Sequence, residues 1–310
     1  GYDYQYMRNM LQMGQGPNMP YSEIGLMAGI GKTDWSWSPL FVDADNDGRK
    51  DLLITNGFPR DITDLDFGEF NFNVQKYLST AQILDSIPVV KIPNYAYRNE
   101  GNGQFKDVGK EWGLSIPSFS NGAAFADLDN DGDLDYVVNN INDEAFVFRN
   151  NLDVKKKENK NFLKLDLIGP KSNQAGLGTK VAIRFKDGTF QYYEHQLNRG
   201  YLSTVHDMAH FGLGPQKQIS SLEIIWPDGK YQIMKDVQSN QVLNIDYREA
   251  TSLNGQQLAF PLAPKKTNPV YREVSEQVGV DFMHEETDKV DFNVQPTLPH
   301  KLTQNGPRLA

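Results

Sequence analysis

The chain repeats itself, and no other feature of its sequence limits the fold as much. An aromatic residue closely followed by Arg-Asn occurs three times, at Tyr6-Met7-Arg8-Asn9, Tyr97-Arg98-Asn99 and Phe148-Arg149-Asn150. After the first two comes a glycine-containing stretch, then a box of aromatic, any residue, acid and aliphatic: Tyr21-Ser22-Glu23-Ile24 and Phe105-Lys106-Asp107-Val108. A Gly-aliphatic pair follows each box (Gly29-Ile30, Gly113-Leu114), then a serine-rich stretch (Trp35-Ser36-Trp37-Ser38, Ser118-Phe119-Ser120). An aspartate loop comes next, and behind it an apolar run, Leu52-Leu53-Ile54 or Tyr136-Val137-Val138. The box returns at Tyr271-Arg272-Glu273-Val274, with Gly279-Val280 after it.

Short β-branched and aromatic runs cut by Gly and Asn turns read as strands. A several-stranded unit of roughly 40–60 residues has the size of a propeller blade. Arg98 and Arg149 lie about 50 residues apart, which fits one blade. Arg8 and Arg98 lie about 90 apart, so the first unit carries an insertion at about 57–93. Within it Phe70 to Ile87 has helical periodicity, with Val74, Tyr77, Leu78, Ala81 and Leu84 on one face. Two units cannot close a propeller, which takes at least four blades. Either further blades lie upstream or the architecture is a different one.

The two loops read D-x-D-x-D-G-x-x-D. One is Asp43, Asp45, Asp47, Gly48, Arg49, Asp51; the other is Asp127, Asp129, Asp131, Gly132, Asp133, Asp135. Calcium takes six to eight hard oxygens, and alternate residues of a tightly wound loop aim at one centre. Glycine at position six permits the sharp turn, and position seven (Arg49, Asp133) supplies a backbone carbonyl, which leaves its side chain free to vary. An EF-hand would close with a bidentate Glu at position twelve, where Ile54 and Val138 stand instead. Asp51 and Asp135 at position nine close these loops, and an apolar strand starts at once. The competing reading is a solvated acidic turn, for which Asp-Gly and Asn-Asp are suitable residues. Two copies at equivalent points of a repeat weigh against it, because four unpaired carboxylates repel one another until a cation intervenes. Two calcium sites are therefore expected.

Composition sets the outer limits. The apolar share of 39% and charged share of 23% are those of a globular chain rather than a disordered one. A formal charge of −9 argues against nucleic acid as a partner, since such binders depend on Lys and Arg at phosphates. The absence of cysteine removes disulfides, thiolate metal sites and a cysteine nucleophile. No run of eighteen apolar residues is present, so no membrane span is expected, and GYDYQYMRNM has no leader character.

From Phe162 the pattern changes. Leu163, Leu165 and Leu167 alternate, as do Val181, Ile183 and Phe185, and Leu222, Ile224 and Trp226. Asp187-Gly188 and Pro227-Asp228-Gly229 supply hairpin turns after those strands. The division that follows is propeller blades over 1–150, a charged linker over 151–161 (Lys155, Lys156, Lys157, Glu158, Asn159, Lys160), and a compact antiparallel β domain over 162–248. A proline-containing connector over 249–269 (Pro261, Pro264, Pro269) leads to the truncated start of a further propeller repeat over 270–310.

These motifs resemble known families. The D-x-D-N-D-G loops are similar to FG-GAP/VCBS repeats, the calcium-carrying blades of integrin-α-like propellers. Gly176-Leu177-Gly178-Thr179-Lys180-Val181, Arg199-Gly200-Tyr201-Leu202-Ser203, His210-Phe211-Gly212-Leu213-Gly214 and Trp226-Pro227-Asp228-Gly229 resemble the ASPIC/UnbV domain. The pair in this order is similar to the cartilage acidic protein-like surface proteins of Bacteroidetes. The resemblance implies an all-β fold with a propeller of about seven blades, an exported location, and metal roles for Asp43, Asp45, Asp47, Asp51, Asp127, Asp129, Asp131 and Asp135. Leu298-Pro299-His300-Lys301 to Gly306-Pro307 looks like the start of another propeller, which makes the chain an internal piece of a larger surface protein.

Other motifs carry less. GLMAGIGKT (Gly25–Thr33) misses the phosphate-loop spacing by one residue, and Gly29 already belongs to the repeat. His206-Asp-Met-Ala-His210 mimics a zinc helix but lacks its Glu and runs into Phe211-Gly-Leu-Gly214, so structural histidines are expected. His195, His284 and His300 form no readable spacing, and no G-x-S-x-G elbow is present. Trp35 and Trp37 read as packing residues before sugar platforms, and Asp61, Asp64, Asp66 and Glu69 as a solvated acidic loop before a third cation site. The functional expectation is a non-enzymatic, calcium-binding adhesion or scaffold module, secreted or on a bacterial outer membrane. Its partner would be an extracellular protein or glycan. Alternatives are a glycan-handling or hydrolytic component, or a structural subunit of an outer-membrane assembly.

Overall fold

The computed structural model describes residues 8–15, 19–60, 65–74, 76–152, 159–252 and 274–279. Lys155 to Glu158, Asp61, Asp64, the proline connector, the third box up to Glu273, Val280, His284 and the 298–307 segment lie outside the described residues. The chain divides into two compact units, Gly1–Phe260 and Pro261–Ala310. Nearly all the regular structure is β, and no helix among the described residues is long and apolar enough to cross a membrane.

The first strands are β1 (Gln12–Met13) and β2 (Ser22–Glu23), an antiparallel pair. Next come β3 (Ser36–Val42) and β4 (Asp51–Asn56), which flank the first aspartate loop, and then the helices α1 (Leu65–Val74) and α2 (Thr80–Asp85). Beyond them lie β5 (Ile92–Pro93), β6 (Tyr95–Gly101), β7 (Gln104–Asp107), β8 (Pro117–Ser118), β9 (Ser120–Ala126), β10 (Asp135–Asn140) and β11 (Phe146–Phe148). Strands β3-β4-β6-β7 form a four-stranded antiparallel meander, the form of a propeller blade, and β9-β10-β11 form a second, three-stranded one. Each aspartate loop joins the first two strands of its sheet. Leu40, Val42 and Leu53 of one sheet and Ala123, Tyr136 and Val138 of the other lie in one buried cluster, so the two sheets share a core.

The insertion forms two helices where one is expected over Phe70–Ile87. Ser79 interrupts it: its hydroxyl accepts the Gln82 amide while the Gln82 side chain accepts the Ser79 amide, a reciprocal cap that starts α2 afresh. The anticipated apolar face is not buried, with Tyr77 and Leu84 exposed.

The box of the repeat has a structural counterpart. Ala28, Trp112 and Val278 each donate a backbone hydrogen bond four residues back, to Ile24, Val108 and Val274. Each turn then ends at a glycine with positive φ: Gly29 at 81°, Gly113 at 76°, Gly279 at 73°. Glycine takes that conformation without the steric cost other residues meet. The third copy belongs to the second unit, where α3 (Ser275–Val278) is this turn. The near-phosphate-loop GLMAGIGKT is the first copy of the same turn, and no helix follows it.

The remaining strands are β12 (Asn161–Ile168), β13 (Lys180–Arg184), β14 (Phe190–Glu194), β15 (Ala209–Gly214), β16 (Gln218–Ile225), β17 (Tyr231–Gln238) and β18 (Gln241–Asp246). They build two sheets, β15-β12-β18 and β14-β13-β16-β17, around one core of Leu163, Leu165, Val181, Ile183, Phe211, Leu222, Ile224 and Trp226. Pairing is antiparallel except between β12 and β18, the first and last strands, which run parallel. Gly188 and Gly229 turn the two hairpins with φ of 85° and 88°.

Candidate metal sites and the sheet docked on them

Both loops are wound by their first aspartate. Asp43 accepts the Asp47 amide on Oδ1 (3.0 Å) and the Gly48 amide on Oδ2 (2.9 Å). Asp127 accepts Asp131 and Gly132 in the same way at 3.1 and 3.0 Å. Asn46 and Asn130 at position four sit at φ 54° and 58°, and Gly48 and Gly132 at 91° and 99°. The winding brings carboxylate oxygens of Asp43, Asp45 and Asp47 within 4.8 Å of one another, and those of Asp127, Asp129 and Asp131 likewise. Oxygens around one calcium at about 2.5 Å stand up to about 5 Å apart across the ion, so both triads have its dimensions.

Position nine does something else. Asp51 accepts the Asn99 amide on Oδ1 and the Ala44 amide on Oδ2, and the Asn99 side chain donates to the Lys50 carbonyl. Asp135 accepts Asn150 and Leu128, and the Asn150 side chain donates to the carbonyls of Leu134 and Ala44. The Asn of the repeat's Arg-Asn pair is thus the latch that closes the preceding aspartate loop. Asp51 and Asp135 lie outside the gathered triads, although each of their oxygens keeps a lone pair. At position seven the Arg49 guanidinium is exposed and reaches Asp47 at 2.5 Å, whereas Asp133 is fully buried and accepts the Leu152 amide.

The donor set fits a hard divalent cation. The buried Oδ1 atoms of Asp45 and Asp133 have no hydrogen-bond partner among the described residues. Burial, with Asp47 and Asp45 close by, pushes the Asp43 carboxyl up to about 6, although Lys50 opposes the shift. Burial, with Asp45 and Asp43 close by, pushes Asp51 up to about 7, and burial beside Asp131 does the same to Asp133. Carboxylates crowded out of water hold their protons until a positive charge relieves them.

What lies over the loops is the β12–β15 pair. Alternate residues of a strand face opposite sides; Leu163 and Leu165, Phe211 and Leu213 face the core. Their neighbours face the loops. Cross-strand partners Lys164 and His210, and Phe162 and Gly212, occupy that second face. The Lys164 ammonium lies 2.5 Å from Asp127 Oδ2, both groups buried. Phe162 covers Gly132, where any Cβ would overlap its ring, and stacks on His210 at 6.1 Å. His210 Nε2 meets Asn46 Oδ1 at 2.7 Å, while Asn46 Nδ2 donates to the Gly132 carbonyl at 2.9 Å and the Asn46 carbonyl accepts Gly214. Since the amide nitrogen is committed to Gly132, Nε2 is the donor to its oxygen. Burial, then the nearby Lys50 and Lys164, hold His210 well below the ordinary imidazole range, hence neutral. Asn46 therefore joins loop one, loop two and the sheet in one buried knot.

A second contact lies to the side. Trp37 packs on Tyr201 (4.8 Å between rings) and donates to the Gly57 carbonyl, and across the same seam the Ser38 hydroxyl accepts the Tyr201 amide and the Ser203 hydroxyl accepts the Ala123 amide. Trp35 stacks on Phe58. These tryptophans pack. His195 is buried against Asp207, and His210 lies on an extended strand rather than a zinc helix. Asp66 and Glu69 belong to α1 and to neither triad.

Residues 92–138 match the FG-GAP-like repeat, and residues 169–252 match the family described as ASPIC and UnbV. The chain carries an FG-GAP-like repeat and an ASPIC/UnbV domain. The repeat match takes in the whole second aspartate loop and all but the last two residues of β10, and the ASPIC/UnbV match takes in β13 to β18. Cartilage acidic protein 1 of Xenopus tropicalis is 32% identical over 131 residues, 41% of this chain and 19% of that protein. Cartilage acidic protein 1 of Homo sapiens is 30% identical over 175 residues, 50% of this chain and 25% of that protein. The matched parts span about a fifth to a quarter of these relatives. FG-GAP-like repeats fit a propeller-like fold, and the relatives point to an extracellular repeat protein.

Sequence reasoning missed the docking face. Lys160 read as part of a solvated linker, yet it pairs with Asp45 at 3.1 Å. Lys164 carries no expectation of its own between the alternating Leu163 and Leu165. The available signal was the spacing Gly212-Leu213-Gly214, since glycines on one face of a strand mark a close backbone approach.

Proposed function

We propose that this chain is a calcium-organised, non-enzymatic binding module of an extracellular or cell-surface protein, in which the cation shapes the loops that seat the ASPIC/UnbV domain. The observation that carries it is the pair of carboxylate triads at equivalent points of the repeat, both beneath one sheet. Extracellular calcium modules bind at roughly 10⁻⁴–10⁻³ M. At ~1 mM calcium and a Kd of ~0.1 mM, one site adds about 1.4 kcal/mol. Calcium of that strength tunes the fold and its docking surface rather than creating them. Its partner would be an extracellular protein or glycan, bound on faces that the loops do not use.

Isothermal titration with calcium tests this directly. Heat of binding is expected in the millimolar range or below, and its loss in the double variant Asp45→Asn/Asp129→Asn. No binding up to 10 mM calcium (about tenfold above the weakest such sites), or the same binding in the double variant, would sink the reading.

A further inference from the structure

The two loops share a sequence pattern but not an electrostatic setting. In the first, the cations at the triad are peripheral: Lys160 on Asp45 at 3.1 Å with 22% of its side chain exposed, and Arg49 on Asp47 with 52% exposed. Lys50 is itself sheltered from water but makes no direct ion pair with Asp43 among the described residues and acts on it through space. The contacts from Lys160 and Arg49 sit at the rim and open at less cost than a buried pair. In the second loop, Arg149 beside Asp129 is likewise exposed, at 69%. Lys164 is different. It enters from the ASPIC/UnbV sheet, its side chain 4% exposed, and meets a carboxylate that is 0% exposed. That carboxylate is the one whose two oxygens hold the Asp131 and Gly132 amides and so wind the loop. Phe162, two residues before Lys164, seals the same turn.

We propose that Lys164 is the resident cation of the second loop, so that the docked ASPIC/UnbV domain keeps this loop wound without calcium, while the first loop depends on the exchangeable ion. This rests on the calcium reading above and specifies how the two sites are regulated. A buried ammonium leaves only if the sheet lifts, because a charge left buried without its partner is strongly unfavourable. Calcium at the second loop and undocking of the domain are then linked, whereas the first loop fills and empties with the domain in place. Lys164 is a positioning residue here: it acts on Asp127 and through it on the loop backbone.

Amide hydrogen exchange on the unmodified chain, in chelator and in 5 mM calcium, separates the loops. Chelation is expected to speed exchange at Asp47 and Gly48 by about tenfold or more, and at Asp131 and Gly132 by less than about threefold. Lys164→Met in chelator should then release Asp131 and Gly132 as fully as the first loop; if this variant does not fold, the comparison on the unmodified chain still decides. Equal release of both loops on chelation overturns the inference and leaves the calcium reading standing. Release of the second loop alone also overturns it. No response in either loop removes the calcium reading and the inference with it.

Discussion

Gly212→Ala is expected to unseat the ASPIC/UnbV sheet from the first aspartate loop. A Cβ at Gly212 would overlap Asp43 Oδ2 and come within 2.7 Å of the Asn46 Cα. Neither neighbour can yield. Asp43 is fixed by two amides, and Asn46 by His210, Gly132 and Gly214. Forcing an atom into such a site costs about 2–3 kcal/mol. In a chain of this size that lowers the melting midpoint by roughly 5–10 °C. Gly68→Ala in α1, where a Cβ meets nothing within 4 Å, is the control and should leave the midpoint unchanged or slightly raised. A Gly212→Ala chain that melts with the unmodified one would mean that the sheet and the loop do not touch as described.

The second large effect concerns the buried ion pair. Asp127→Asn strands the Lys164 ammonium between the loop and the sheet, and removing one partner of a buried pair costs about 3–5 kcal/mol. The double variant Asp127→Asn/Lys164→Met removes both charges together, and it should recover at least about 2 kcal/mol of the sum of the single losses. Denaturant unfolding of the four chains measures this coupling. A coupling energy below about 0.5 kcal/mol would show the two groups to be independent.

Much of this molecule is legible from its residues because its parts are local. Repeat boxes, aspartate loops and hairpin glycines each fix a few neighbouring dihedrals, so the turn that ends at Gly29 recurs at Gly113 and Gly279. The alternation of Leu163, Leu165 and Leu167 shows which side of β12 is core for the same reason. The opposite side was not legible. A lysine between leucines is the ordinary pattern of a half-exposed strand, and only the long-range pairing of β12 with β15 brings Lys164 and His210 side by side over the loops. The Arg-Asn motif was visible as a repeat, but the work of its Asn as a latch on Asp51 and Asp135 needed the strand partners in place. The helical insertion shows the same limit in reverse. Its 3.6-residue pattern extended across Ser79, where a local cap divides it in two.

The most direct measurement is the melting midpoint of the chain at pH 5.5 and 7.5, in chelator and in millimolar calcium. The folded carboxyls of Asp43, about 6, and of Asp51, about 7, are raised by burial above their unfolded values. The folded state therefore binds more protons than the unfolded one between roughly pH 4 and 7, and stability in chelator falls as pH rises through that range. Calcium supplies the missing positive charge once those protons are gone. The midpoint in chelator should be lower at pH 7.5 than at 5.5, calcium should raise it by several degrees at 7.5 and by less at 5.5, and Asp45→Ala should remove most of the rise. A midpoint indifferent to calcium at both pH values, in a chain that stays folded, would contradict a cation-organised docking surface and leave the two loops as acidic turns.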